Sequence, residues 1–235
     1  MLQSYGRLDG LRVNFVTDSQ AKFADSNGSS RGVSSAEDYQ LLIGLRSISD
    51  VIITSGKTAK SEGYRASRHS ALAIIAGKTH LDGVPALSQL AASETKPVYL
   101  ICHVSQSADY QEASARFGFQ IVALKSGSAG KLDAVEIIET LRRAKLLAML
   151  FEAGPELLQR FLESGLVDEI CLTTTFSDEN DLSAFSLKPK LLLPFLLGGD
   201  LGSQSQINLT GVVCSNSSVF TRWVPASALR RGKQA

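Results

Sequence analysis

Two turns in this chain carry residue types that can hold a ligand. Glu152-Ala153-Gly154-Pro155 follows the apolar run Leu146 to Phe151 and precedes a segment in which Leu157, Leu158, Phe161 and Leu162 recur at helical spacing, with Gly165 as its stop. Gly154 permits a tight turn or a close approach to a ligand, Pro155 suits the first helical position, and Glu156 suits the positive helix start. A strand, a glycine turn and a helix in that order place free N–H groups at the carboxyl end of a strand, where open α/β sheets bind phosphates and nucleotides. Glu152 is expected at that mouth and not in the core. The same pattern also serves as a plain strand-to-helix turn with no ligand, and it is not the G-x-G-x-x-G dinucleotide fingerprint.

The second turn, Ser55-Gly56-Lys57-Thr58, ends the run Val51 to Thr54 and leads into Lys60, Arg65, Arg68 and His69. These cations, with the backbone donors of the turn, could contact an anionic group, or they could form a solvated basic loop. Gly-Lys-Thr lacks the upstream glycine of a Walker loop, which sets aside a nucleotide triphosphatase. Lys22 lies in a third stretch, Asp18 to Arg31, rich in Ser, Gly, Asp and Asn and without periodicity, which reads as a long mobile loop of the kind that often carries function. His69, His80 and His103 have no metal-ligand spacing and no Ser-His-Asp order, so no metal is expected. Cys102, Cys171 and Cys214 are far apart and set in apolar runs, and read as reduced core residues of a cytosolic protein.

The elements that must position these turns alternate. Strands are expected at Arg12 to Thr17, Val51 to Thr54, Ala71 to Ala76, Pro97 to His103, Phe119 to Leu124, Leu146 to Phe151 and Val167 to Thr175. Between them, helices are expected from Ala36 (capped by Ser34 or Ser35, with Leu41, Leu42, Leu45 and Ile48 inward), over Ala86 to Ala92, Ala108 to Arg116 and Asp133 to Ala144 (Val135, Ile138 and Leu141 inward), and after Pro155. Such alternation implies a mainly parallel sheet with helices on both faces. Phe176 to Ser186 reads as an excursion, and Leu191 to Leu197, Ile207 to Cys214 and Val219 to Val224 as strands without helices between them, an antiparallel end to the sheet.

One domain over residues 1–235, with flexible ends at 1–11 and 230–235, accommodates the length and the 44% hydrophobic content. A net charge of +1 and 20% charged residues without blocks favour a small-molecule ligand over nucleic acid or an acidic membrane. The start MLQSYGRLDG lacks a signal-peptide pattern and no apolar run approaches the roughly 20 residues of a membrane span, so a soluble, cytoplasmic protein is expected.

In the order and spacing of several blocks the chain resembles the reductase domain of bifunctional riboflavin-biosynthesis deaminase/reductases, and more closely the stand-alone actinobacterial-type pyrimidine reductases. The blocks are Val13 to Ala24, Gly32 to Ser35, Ser49 to Ile53, Lys57 to Tyr64, Phe151 to Pro155 and Gly165 to Glu169, with a weaker return at Phe195 to Gly199. The resemblance implies a dihydrofolate-reductase-like α/β fold, a homodimer, and NADPH-dependent reduction of 5-amino-6-(5-phosphoribosylamino)uracil, a pyrimidine ribosylamine phosphate. It implies catalytic roles for Lys22 at the pyrimidine end, Glu62 near the reacting sugar, and Glu152. Gly56, Thr58, Glu152, Ala153, Gly154 and Pro155 would line the cofactor, and Ser34, Ser35, Arg65 and Arg68 the substrate, with Arg68 meeting its phosphate.

Three departures from the pattern stand out: Gln20-Ala21 replaces Asp-Gly before Lys22, Lys57 replaces a glycine, and Ala153-Gly154 replaces Gly-Gly. The zinc signature of the deaminase half, His-x-Glu with paired cysteines, occurs nowhere in the chain, so no deaminase domain is expected. Two other functions stay open: a dihydrofolate-type pterin reductase on the same fold, and a non-catalytic NADPH-binding protein.

Overall fold

The structure is a computed structural model that describes residues 5–26, 28–77, 81–90, 92, 94–177, 207–215 and 217–231. Its frame is a nine-stranded sheet in the order β10-β11-β9-β1-β8-β2-β3-β4-β5. The strands are β1 (Gly10–Asp18), β2 (Val51–Ser55), β3 (Ala71–Ile75), β4 (Val98–His103), β5 (Gln120–Leu124), β8 (Ala148–Phe151), β9 (Val167–Thr175), β10 (Ile207–Cys214) and β11 (Ser218–Pro225). β6 (Gly127–Ser128) and β7 (Lys131–Leu132) form a small separate hairpin just after β5. The seven strands from β9 to β5 run parallel, while β11 lies antiparallel to β9 and β10 antiparallel to β11, as the sequence pattern implies. The expected strand Leu191 to Leu197, the return at Phe195 to Gly199 and most of the Phe176 to Ser186 excursion lie outside the described residues.

Helices cover both faces. On one face α1 (Ala36–Ser47), α2 (Gly56–Ser61), α3 (Pro85–Ser88) and α4 (Gln111–Phe117) bury Leu41, Leu45, Ala59, Ala86 and Leu87 against Leu150, Ile52, Leu72, Ile74 and Leu100 of the strands. On the other, α5 (Ala134–Arg143) and α6 (Pro155–Glu163) pack Ile137, Ile138, Leu141, Leu157, Leu158 and Phe161 on Val13, Val51, Ile53, Met149 and Phe151. A last helix, α7 (Ala226–Arg231), follows β11. Caps set the helix starts: Ser35 Oγ accepts from Asp38 N at 3.1 Å, Ser55 Oγ from Thr58 N at 3.1 Å, and Asp133 Oδ1 from Glu136 N at 2.9 Å.

Several local expectations change. Val135 faces solvent at 40% exposure, because at 3.6 residues per turn it lies about 120° around α5 from Leu141; Ala134 and Ile137 take the inward places. The expected helix from Ala86 shrinks to one turn, as Gln89 turns extended. The segment Val104–Tyr110 is 3-10 helical, leaving α4 to end at Gly118 in the left-handed region. Cys102 and Cys171 are buried, but Cys214 is exposed on β10, the outermost of the described strands on that side of the sheet.

The strand order decides where a ligand can sit. From β1 the chain crosses beneath α1 to β2, two places along, then steps outward to β5; it returns through α5 to β8, between β1 and β2, and leaves through α6 to β9 beyond β1. Connections from β8 and from its two neighbours therefore depart over opposite faces, which opens a crevice at the carboxyl end of β8. Asp50 sets the other end of this region: it receives Leu147 N and Ala148 N on Oδ2, both at 2.9 Å, and both terminal nitrogens of Arg7 at 2.7 and 2.8 Å.

Candidate active site

The crevice brings the two turns together. β2 and β8 are parallel neighbours with Ile53 opposite Phe151, so Ser55 to Thr58 and Glu152 to Pro155 lie side by side at the same edge. The long segment between β1 and α1, with Lys22, Ser34 and Ser35, opens from the same edge of β1, on the other side of β8.

Within the first turn each residue faces differently. The Ala153 methyl is buried in the core above α5 and α6, so alanine in place of glycine there puts nothing toward a ligand. Gly154 is the cap of α6 with φ −66° and ψ 167°, a conformation open to any residue, and a Cβ built on it meets no atom within 4 Å. Neither backbone strain nor internal packing calls for glycine at this position. The cap supplies no side chain to the start of α6, where Pro155 has no N–H to offer and the N–H groups of Leu157 and Leu158 both donate to Gly154 O at 3.2 Å.

Glu152 departs from expectation. Its carboxylate is buried, with 5% side-chain exposure, on the face covered by α1 and α2. Arg46 Nε donates to Oε1 at 2.9 Å and Arg46 Nη2 to Oε2 at 2.6 Å, while the Tyr64 hydroxyl also donates to Oε2. Alternation along the strand explains the direction: Leu150 and Glu152 share a face, and Leu150 packs under α1. Burial, the neighbouring Glu152 charge and the hydrogen bond to it hold the Tyr64 phenol well above its ordinary pKa despite Arg46, so it stays protonated.

In the second turn Gly56 is buried, and a Cβ there would come within 2.3 Å of Leu81 Cδ2; its small size serves packing inside the protein. Lys57 is exposed and turned outward, and the Thr58 hydroxyl pairs with Ser55 Oγ at 2.9 Å. Glu62, which caps α2, is tied to the opposite loop. Its Oε1 accepts Ser30 N at 2.6 Å, and its Oε2 accepts Ser29 Oγ at 3.1 Å with Arg31 Nε at 3.8 Å.

The described part of the Asp18 to Arg31 loop is thus a chain of hydrogen-bonded turns. Asp18 Oδ1 receives the N–H groups of Gln20 and Lys22, and Asp25 Oδ1 that of Ser29. Ala21 takes φ 63°, the left-handed region that favours glycine, which accounts physically for glycine in the resembling motif and marks Ala21 as strained. Lys22 is exposed. The Ser34 hydroxyl donates to Asp38 Oδ2 at 2.7 Å, and Ser35 Oγ, already the cap of α1, receives the Ser218 hydroxyl at 2.9 Å. Burial raises the Asp38 pKa against the opposing pull of the nearby Thr173 and Ser34 hydroxyls.

One expected substrate residue, Arg68, is not gathered. Arg68 stands three residues before β3, where Lys96 N, just before β4, bonds Ser67 O at 2.6 Å; this is the amino edge of the sheet, a strand length of about 16 Å from the turns. A parallel strand must begin there, so its sequence position could have revealed this. Arg68 pairs with Glu94 at 3.8 Å, both exposed, and Arg65 is exposed and bonded to Gln89. Reading the residues missed Arg46, Tyr64 and Asp38. The available signal for Arg46 was a charged side chain closing an otherwise apolar helix face.

Residues 13–175 match the family model of the RibD C-terminal domain. The chain belongs to that family. Membership makes it a relative of riboflavin-biosynthesis pyrimidine reductases. Among solved structures it is similar to a pyrimidine reductase-like protein from Corynebacterium diphtheriae, with a TM-score of 0.70 and 19% identity over 92% of this chain and 91% of that one. It is also similar to a diaminohydroxyphosphoribosylaminopyrimidine deaminase/5-amino-6-(5-phosphoribosylamino)uracil reductase from Thermotoga maritima, with a TM-score of 0.64 and 15% identity over 92% of this chain and 56% of that one. The dihydrofolate reductase of Enterococcus faecalis, complexed with NADP(H), shares the fold at a TM-score of 0.50 and 9% identity, over 92% and 96% of the two chains. No curated protein sequence matches. The fold is dihydrofolate-reductase-like, as the resemblance implied. Among the described residues no helix is long and apolar enough to cross a membrane.

Proposed function

We propose that the protein is an NADPH-dependent reductase of riboflavin biosynthesis that converts 5-amino-6-(5-phosphoribosylamino)uracil to its ribitylamino form. The observation that carries the reading is Gly154: at the crevice of a RibD-type sheet, an outward-facing glycine that neither φ nor packing requires leaves room for a ligand against the backbone. Ala153 and Gly154 offer that backbone to the cofactor, Pro155 and Glu156 begin the helix behind it, and Thr58 flanks it across β2. When bound, NADPH supplies a hydride to the ribose C1, the bond from C1 to the ring oxygen breaks, and that oxygen takes a proton as the sugar opens. The chain's part is to hold the two partners in register and keep water away. Lys22 reaches the pyrimidine end, and Glu62 acts on the sugar side through the loop it ties down. The working unit is a homodimer, as the resemblance implies.

The placement of Arg68 favours one competing reading enough to test beside it. A ribose phosphate needs cations at the ligand edge, and Arg68 is at the opposite one; Lys22, Arg31 and Lys57 are exposed cations at the right edge. A pterin substrate needs no such cation. The deciding experiment titrates the protein with NADPH and NADH, then adds freshly generated deaminated pyrimidine ribosylamine phosphate, or dihydrofolate, while the absorbance of reduced nicotinamide is followed. Tight NADPH binding with oxidation dependent on the ribosylamine phosphate is the expected result. Oxidation with dihydrofolate alone replaces the substrate, and binding without oxidation of either leaves a non-catalytic NADPH-binding protein.

A further inference from the structure

Three separate elements meet at one carboxylate. Glu152 comes from the end of β8, Arg46 from the last turn of α1, and Tyr64 from the segment after α2, at sequence separations of 106 and 88 residues from Glu152. Arg46 grips the carboxylate with two parallel N–H groups, which fixes its orientation as well as its distance. The same Nη2 donates to the Tyr64 oxygen at 3.1 Å, and the guanidinium carbon stands 5.1 Å from the centre of the Tyr64 ring. Each member of the triad touches the other two, so none moves alone.

The backbone of Glu152 is fixed from the other side. Its N–H donates to Ile53 O at 2.8 Å, and its carbonyl accepts from Thr54 Oγ1 at 3.5 Å. Ala153 then dips into the core, and Gly154 is the next residue to face outward. A carboxylate with both oxygens engaged and 5% side-chain exposure reaches a substrate only by giving up its partners.

We propose that Arg46 and Tyr64 are positioning residues of the ligand site: by clamping Glu152 from behind, they set where the backbone of Ala153 and Gly154 meets the cofactor. Glu152 accordingly holds the turn and does not itself move a proton. This rests on the reading of that turn as the NADPH edge.

The test uses the full chain with Arg46→Lys, Tyr64→Phe and Glu152→Gln, with thermal unfolding as a check on folding. Lysine keeps the charge but cannot reproduce the fork, phenylalanine removes one hydroxyl, and glutamine keeps the shape. NADPH binding is expected to weaken about tenfold in each, with kcat altered by less than about threefold and the pH profile of kcat unchanged in shape. Exchange of the Glu152 amide should quicken about tenfold, while that of Ile74 in β3 stays as in the wild type. A collapse of kcat in Glu152→Gln with loss of one limb of the pH profile and intact NADPH binding would overturn the proposal, since Glu152 would then move the proton. So would wild-type NADPH affinity and amide exchange in Tyr64→Phe, the mildest change and the one that decides the matter if the others fail to fold. A wild-type protein that binds no NADPH removes the functional reading, and the amide exchange still decides the clamp.

Discussion

Ser30 donates its backbone N–H to Glu62 Oε1 at 2.6 Å, joining the loop between β1 and α1 to the end of α2 across 32 residues of sequence. Ser29 adds its hydroxyl to the other carboxylate oxygen, so one acidic side chain fastens the segment that carries Lys22 and Ser34 to the wall of the crevice. Glu62→Ala leaves both donors without their acceptor and should cost about 1–2 kcal/mol of stability, and it should raise the substrate KM about tenfold with little change in NADPH affinity. Glu62→Gln keeps one oxygen for Ser30 and should restore KM to within about threefold of the wild type. Steady-state kinetics with both variants check this. A kcat as low in the glutamine variant as in the alanine variant would assign the carboxylate a direct part at the sugar.

Gly154→Ala separates folding from binding. The substituted residue fits the observed φ and ψ, and its Cβ meets nothing within 4 Å, so stability should hold or rise by about 0.4–1 kcal/mol through a less flexible unfolded chain. NADPH affinity should fall at least about tenfold, because the methyl occupies the space through which the ligand nears the backbone. Thermal unfolding and NADPH titration on the same sample read the two effects. Unchanged affinity would move the ligand away from this turn.

Asp50 predicts a pH dependence. Its hydrogen bonds and ion pair with Arg7, helped by the N–H groups of Ala148 and Leu147 and opposed by partial burial, hold its carboxyl at about 2, below the ordinary value of about 3.9. A depressed pKa means that the folded state favours the charged form. The stabilisation is therefore fully present above pH about 4 and is lost as pH falls through about 2. After solvent screening of this largely exposed pair it amounts to about 1 kcal/mol. In Asp50→Asn this part of the acid dependence should disappear, and stability at pH 7 should drop by about 1–2 kcal/mol as Leu147 and Ala148 lose a charged acceptor. Denaturant unfolding between pH 2 and 7, wild type against variant, measures both.

The parts of the site that were readable in the residues are those whose cause is local. The apolar run before Glu152 and the Gly-Pro that follows announced a strand, a turn and a helix, and β8 and α6 occupy those places. A serine cap at Ser34 or Ser35 was readable because a hydroxyl before Glu37 and Asp38 satisfies the first helical N–H groups, and the structure gives the place to Ser35. The amino-edge position of Arg68 was within reach too, since a residue that leads into a parallel strand lies at the edge where strands begin. The inward turn of Glu152 was not. Parity along the strand puts it on the same face as Leu150, but only the sheet order places Arg46 and Tyr64 over that face.

By itself the sequence determined the alternation of strands and helices, the caps, and the glycine turn at the end of β8, because each follows from neighbours a few residues apart. Tertiary structure alone decided that β8 slots between β1 and β2, that Gly56 faces Leu81 while Gly154 faces outward, and that Glu152 is neutralised by an arginine 106 residues away. Those outcomes depend on which faces meet when distant segments pack, and spacing along the chain carries no record of it.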